Sequence, residues 1–160
     1  MSRKPLFLFF VPTLIIVLAI AGSAQAPPAA TSDSTTVVLG GTGPTPHLQT
    51  VIDGISDLLS SSGVKVKVAS GDAKSRSALL EDMKVSGNAN LLYVSVNTVP
   101  HQRGKMLAEC FVDGKKVWEE ETRGSLVAVS AEGEVRGMLK GIKEKIKKHI
   151  GGPGIPKQPK

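Results

Sequence analysis

The spacing of apolar residues changes repeatedly along this chain, and each change marks an element. Thr36–Gly40 is short, β-branched and closed by glycine, which predicts a strand. From Leu48 the apolar positions fall at 48, 51, 52, 55, 58 and 59, the helical spacing, with Thr45 as the expected N-cap, Pro46 in the first turn and Gly63 past the end. Val64, Val66 and Val68 then alternate with Lys65 and Lys67, predicting a strand with one buried and one wet face. A second helix is expected over residues 74–85, where Ala73, Leu79, Leu80 and Met83 share a face and Gly87 closes the segment, although Ser75 and Ser77 weaken it. Leu91–Val99 predicts a strand with Leu92, Val94 and Val96 on one face. Met106, Ala108, Cys110 and Val112 repeat that period after the loop at 100–105. Asp113-Gly114 turns the chain into Lys116–Thr122, a hairpin. A last helix is predicted from Ala131 to Ile150, with Val135, Met138, Leu139, Ile142, Ile146 and Ile150 in one stripe and Ser130 as cap.

The order β-α-β-α-β-β-β-α predicts a mixed α/β fold. Strands joined through helices need crossovers and therefore pair in parallel, whereas the later hairpins are antiparallel, so one mixed sheet covered by helices is expected. The stretches TVVLGG, HLQTVIDGISDLLSSSGVKVKV, GNANLLYVSVN and DGKKVWEEE, spread over residues 36–122, carry a resemblance. Their order resembles the small α/β domain shared by TolB amino-terminal regions, the curli secretion protein CsgG and the penicillin-binding-protein activator LpoB. The resemblance is one of pattern, without a diagnostic motif. It implies a non-enzymatic role in the bacterial cell envelope through protein contacts, and carries over no site residue. CsgG-like and LpoB-like proteins are typically lipid-anchored, whereas this chain has no cysteine at the expected cleavage point; its single cysteine is Cys110.

Ahead of the domain, Arg3 and Lys4 precede an apolar run from Leu6 to Ala21, and Ala24-Gln25-Ala26 supplies small residues at the positions a signal peptidase reads. A cleaved signal peptide is expected over 1–26, followed by a disordered Pro/Ala/Ser/Thr linker at 27–35. The alternative is an uncleaved anchor. Pro12 in mid-run and the lack of another positive residue before Lys65 favour removal. The expected domain is 36–150, followed by a disordered basic Pro/Gly tail at 151–160. The mature protein is thus read as exported, periplasmic or secreted, with no integral membrane span after cleavage.

The net charge of +6 is unevenly spread. Residues 27–134 carry 10 Lys and Arg against 13 Asp and Glu, while residues 135–160 carry 8 against Glu144 alone. Only Phe111, Tyr93 and Trp118 remain as aromatics beyond the leader, too few for stacking platforms, and export removes the chain from nucleic acid. A nucleic-acid partner is therefore not expected. An envelope protein or an anionic envelope component is the expected partner.

Catalytic motifs are sparse. Gly40-Gly41-Thr42-Gly43 follows a strand and precedes a helix, but Pro46 stands where a dinucleotide fingerprint needs its third glycine, so a structural turn is expected and no cofactor. His47, His101 and His149 lie in separate elements, and no metal site is expected. Glu119-Glu120-Glu121 alternates across a strand, so at most two of its carboxylates converge. No Gly-x-Ser-x-Gly elbow exists, Gly54–Leu58 being the nearest approach inside a helix. Cys110 shares a face with Met106, Ala108 and Val112 and reads as buried and inert. Trp118 reads as core, its face depending on hairpin loop length: a three-residue loop places it on the Cys110 side and a two-residue loop opposes it.

Two surfaces remain as candidate contacts. One is the hairpin-tip loop with His101, Gln102, Arg103 and Lys105; the other is the basic helix surface of Arg136, Lys140, Lys143 and Lys147. The reading is an exported, non-catalytic binding or assembly domain of the bacterial envelope. The alternatives are a small secreted hydrolase-type enzyme whose site no sequence pattern reveals, and a peripheral membrane-surface protein acting through the basic C-terminal helix.

Overall fold

Strands connected through helices must return in the same direction, and the first three strands do so. In the computed structural model, which describes residues 36–69, 75–98, 103–125 and 130–158, β1 (Thr36–Thr42) lies between β2 (Lys65–Val68) and β3 (Asn90–Asn97), parallel to both. The hairpin-linked β4 (Lys105–Val112) and β5 (Lys115–Arg123) continue the sheet antiparallel, giving the order β2-β1-β3-β4-β5. Helices α1 (Thr45–Ser61), α2 (Arg76–Ser86) and α3 (Ala131–Lys147) complete the expected mixed α/β architecture. All described residues belong to one unit, Ser32–Lys160. The leader and the 27–35 linker lie outside the described residues.

The two faces of the sheet are unequal. Val37 and Leu39 of β1, Leu92, Val94 and Val96 of β3 and Met106, Ala108 and Cys110 of β4 point to one side, where Val51, Ile55 and Leu59 of α1 and Val135, Met138, Ile142 and Ile146 of α3 close over them. Val38, Leu91, Tyr93 and Phe111 point to the other side, covered by Leu79 and Met83 of α2. β3 is therefore buried on both faces, which its sequence LLYVSV, apolar at nearly every position, already permits. β2 is an edge strand: Val64 just before it is buried and Val66 half-buried, but Val68 is 42 % exposed, so the predicted buried face fades along its length.

Local signals place the helix ends with small shifts. Thr45 lies inside α1 and the cap position falls to Pro44, without a side-chain bond; Pro46 in the first turn has no N–H to leave unsatisfied. Ser75, expected to weaken α2, instead caps it, its hydroxyl accepting from the Ala78 amide at 3.3 Å. Gly87 ends α2 in the left-handed conformation (φ 70°). Ser130 caps α3 through Gly133 N at 3.1 Å. α3 stops at Lys147, and residues 148–150 form a turn rather than its last helical residues.

The β4–β5 hairpin resolves the position of Trp118. Asp113 (φ 49°) and Gly114 (φ 76°) form a two-residue turn of the primed kind that suits strand twist. That register alone would send Trp118 to the face opposite Cys110. A bulge in β5, where Val117 is the extra residue between the pairs Cys110–Trp118 and Phe111–Lys116, shifts the register by one, so Trp118 pairs with Cys110 and shares its face.

The C-terminal segment departs from the expected unpacked tail. Gly152 and Ile155 form an antiparallel bridge, Gly151 N donates to Ile155 O at 2.8 Å, and Ile155 is fully buried in the core under α1 and α3. Gln158 N donates to Gly63 O at 3.0 Å, which fastens the segment beside the α1–β2 turn. Trp118 Nε1 donates to Pro153 O at 3.2 Å. Gly154 has φ +87° and lies so close to Cys110 that a Cβ there would collide with Sγ, so only glycine fits. Residues 151–158 are thus a strap over the sheet, and the folded region extends beyond the expected boundary at 150.

Candidate functional site

The charge pattern of α3 matches its ends. Glu132 and Glu134 occupy the first turn and Lys145 and Lys147 the last, each sign placed where the helix dipole favours it. Its apolar stripe is committed to the core through Val135, Met138, Ile142 and Ile146, which leaves Arg136, Lys140 and Lys147 exposed and Lys143 half-exposed on the outer side. Arg136 pairs with Glu132 at 2.5 Å and Lys147 with Glu144 at 2.7 Å. Lys147, with Lys140 and Lys143 nearby, holds the Glu144 carboxyl below its ordinary range. Among the described residues Lys140 and Lys143 make no ion pair. Leu139 is half-buried against Gly54 of α1, and with the four cations and Glu144 it lines a shallow cleft of about 360 Å³.

The hairpin-tip loop is only partly described. His101 and Gln102 lie outside the described residues; Arg103 is exposed, and Lys105 binds Glu121 at 2.6 Å. Glu121 also accepts from Arg123 Nε at 2.7 Å, and the two cations, Lys105 first, lower its carboxyl to about 2. The foot of the loop meets the start of α3, because Glu134 Oε1 accepts from the Gly104 amide at 2.6 Å.

Other polar groups among the described residues make contacts within the fold. Cys110 is fully buried, and desolvation pushes its thiol up to about 12, as expected for an inert cysteine. The acidic run on β5 alternates as anticipated. Glu119 pairs with Lys116, whereas Glu120 bonds His149 Nε2 at 3.0 Å and lies 3.8 Å from Lys145. His149 stacks on Trp118, ring centroids 4.2 Å apart and 8° from parallel. His47 Nδ1 is 3.5 Å from Thr98 Oγ1. No cluster of three metal-ligating side chains occurs among the described residues, and no helix among them is long and apolar enough to cross a membrane. Gly40 and Gly41 lie within β1 rather than in the expected turn, and packing explains them: a Cβ at Gly41 would collide with the Val94 carbonyl, and one at Gly40 with Leu79.

Sequence reasoning missed one constellation. Glu109 is only 4 % exposed, on the α2 face of β4, where Arg76 Nη1 binds both its oxygens at 3.0 Å and Lys116 approaches to 3.4 Å. The Arg76 guanidinium also lies 5.9 Å from the Phe111 ring centre. The available signal was a carboxylate within the apolar run Met106–Val112; its partner lies 33 residues away in another element.

No family model matches the chain. No curated protein matches it either. Among solved structures it is similar to a PelC dodecamer from Paraburkholderia phytofirmans, at 12 % identity over 67 % of this chain and 83 % of that chain, with a TM-score of 0.44. It is also similar to the LpoB C-terminal domain from Salmonella enterica, at 10 % identity over 56 % of this chain and 82 % of that one, with a TM-score of 0.40.

Proposed function

We propose that this chain is an exported bacterial cell-envelope protein whose α/β domain binds rather than catalyses, with the outer face of α3 as its contact surface. The observation that carries the reading is a contrast in how charge is used. The buried and half-buried carboxylates of the sheet are held within the fold, Glu109 by Arg76, Glu120 by His149 and Glu121 by Lys105 and Arg123. Lys140 and Lys143, by comparison, face outward around a half-buried leucine without an ion pair among the described residues. The leader supports export, and the surplus of Lys and Arg after residue 135 supports an anionic or acidic partner.

The experiment places a photo-crosslinking residue at position 140, and in parallel at position 84 on α2, in cells expressing the full chain. The expected result is an intact mass starting at Pro27 in the exported fraction and adducts from position 140 alone. Retention in the cytoplasm, or equal adducts from both positions, would overturn the reading.

A further inference from the structure

Arg136, Lys140, Lys143 and Lys147 are spaced four, three and four residues apart, which keeps them on one side of α3 and spreads them over about 16 Å of its length. Glu132 and Glu144 compensate the two ends of this row. Lys140 and Lys143, which make no ion pair among the described residues, share the cleft with Leu139. A pocket for one small anion would aim its donors inward. These cations instead form a row along a shallow, open cleft, an arrangement suited to a plane of anions. No aromatic side chain lines that cleft, so base stacking has no platform there. α1, packed beside α3, contains Asp53 and Asp57, both exposed, and no Lys or Arg, which confines an anionic contact to the α3 side.

We infer that the outer face of α3 docks on the surface of an anionic lipid bilayer, a step that rests on the binding-domain reading above. The lysine stems lie along the boundary region while their ammonium groups reach lipid phosphates. The apolar stripe of α3 stays in the core, so the contact is peripheral and electrostatic. It is consequently screened by salt, whose Debye length is about 8 Å at physiological strength.

The test uses the full chain and sedimentation with vesicles of phosphatidylcholine mixed with phosphatidylglycerol, against phosphatidylcholine alone. The leader carries Arg3 and Lys4 as well as its apolar run, so the readout is how far α3 variants change the difference between the two vesicle types. Each lysine near an anionic surface is worth about a fivefold gain in binding, so the double variant Lys140→Gln/Lys143→Gln is expected to lose about 25-fold of the phosphatidylglycerol-dependent binding. Lys84→Gln on α2 should lose none, and added salt should abolish the difference in the parent chain. Equal binding of the parent chain to both vesicle types, a salt-insensitive difference, or a difference that the double variant keeps in full overturns the inference. If vesicles fail while position 140 still crosslinks to a protein, the bilayer is excluded and the binding-domain reading stands; if both fail, both readings fall.

Discussion

Replacing Ile155 with alanine tests whether the last residues of the chain belong to its core. Ile155 is fully buried, packed with the side chains of α1, α3 and the sheet, and it is the only aliphatic side chain of the strap. Shortening such a residue removes its transfer free energy and leaves a cavity, a loss of about 2–4 kcal/mol. For a domain of this size that lowers the melting temperature by roughly 3–5 °C per kcal/mol. A second readout is local. Without the Ile155 anchor the strap is held by the Trp118–Pro153 and Gln158–Gly63 bonds, each worth about 1 kcal/mol net, so it should lift more often. Lifting uncovers Cys110, against which Gly154 is packed. Urea melts of the parent and Ile155→Ala, combined with the rate at which a thiol reagent labels Cys110 under native conditions, should show lower stability and faster labelling together. A variant that melts within about 0.5 kcal/mol of the parent, with unchanged labelling, would refute the claim that the strap completes the core.

Cys110 also predicts an alkaline weakness. Burial lifts its thiol from the ordinary 9.0 to about 12, so between those values the unfolded chain releases a proton that the folded one keeps; stability therefore falls as pH rises, with a slope of at most about 1.4 kcal/mol per pH unit. Urea melts between about pH 8 and 11 should show this slope reduced in Cys110→Ala, and parallel profiles would contradict it. Gly137 lies exposed inside α3 with nothing within 4 Å of a Cβ built there, so Gly137→Ala should raise stability by about 1 kcal/mol; a decrease in thermal melts would mean that α3 is not helical at that point. Arg76→Met leaves the buried Glu109 with Lys116 at 3.4 Å as its remaining cation and should cost about 1–2 kcal/mol in denaturant melts at neutral pH, whereas an unchanged midpoint would show that Lys116 suffices.

The elements that sequence reasoning located are those whose side chains repeat with a period. The stripe from Val135 to Ile146 and the alternation from Met106 to Cys110 arise because one face of each element is buried, so burial writes itself into the spacing. Ile155 carries no such mark: a lone aliphatic residue among glycines and prolines has no period, and only the tertiary structure shows that Gly154 is needed to pass Cys110. Trp118 was ambiguous for a related reason. Loop length fixes register only while both strands advance together, and the bulge near Phe111 breaks that rule without a distinct residue signature. Of the candidate surfaces, the α3 row was legible because exposed cations on a helix follow from the position of its buried stripe. The Arg76–Glu109 pair was not, since two residues 33 positions apart meet only after the β3–β4 hairpin and α2 have packed.

The strap also gives the domain a way to open in part. Ile155 closes the core from a segment of glycines and prolines that belongs to no helix or strand, so it can withdraw without unwinding α1, α3 or the sheet. Withdrawal bares the side of β4 where Gly154 covers Cys110, while the ladder between β3, β4 and β5 stays intact. The core thus has a plug whose loosening is a smaller event than unfolding.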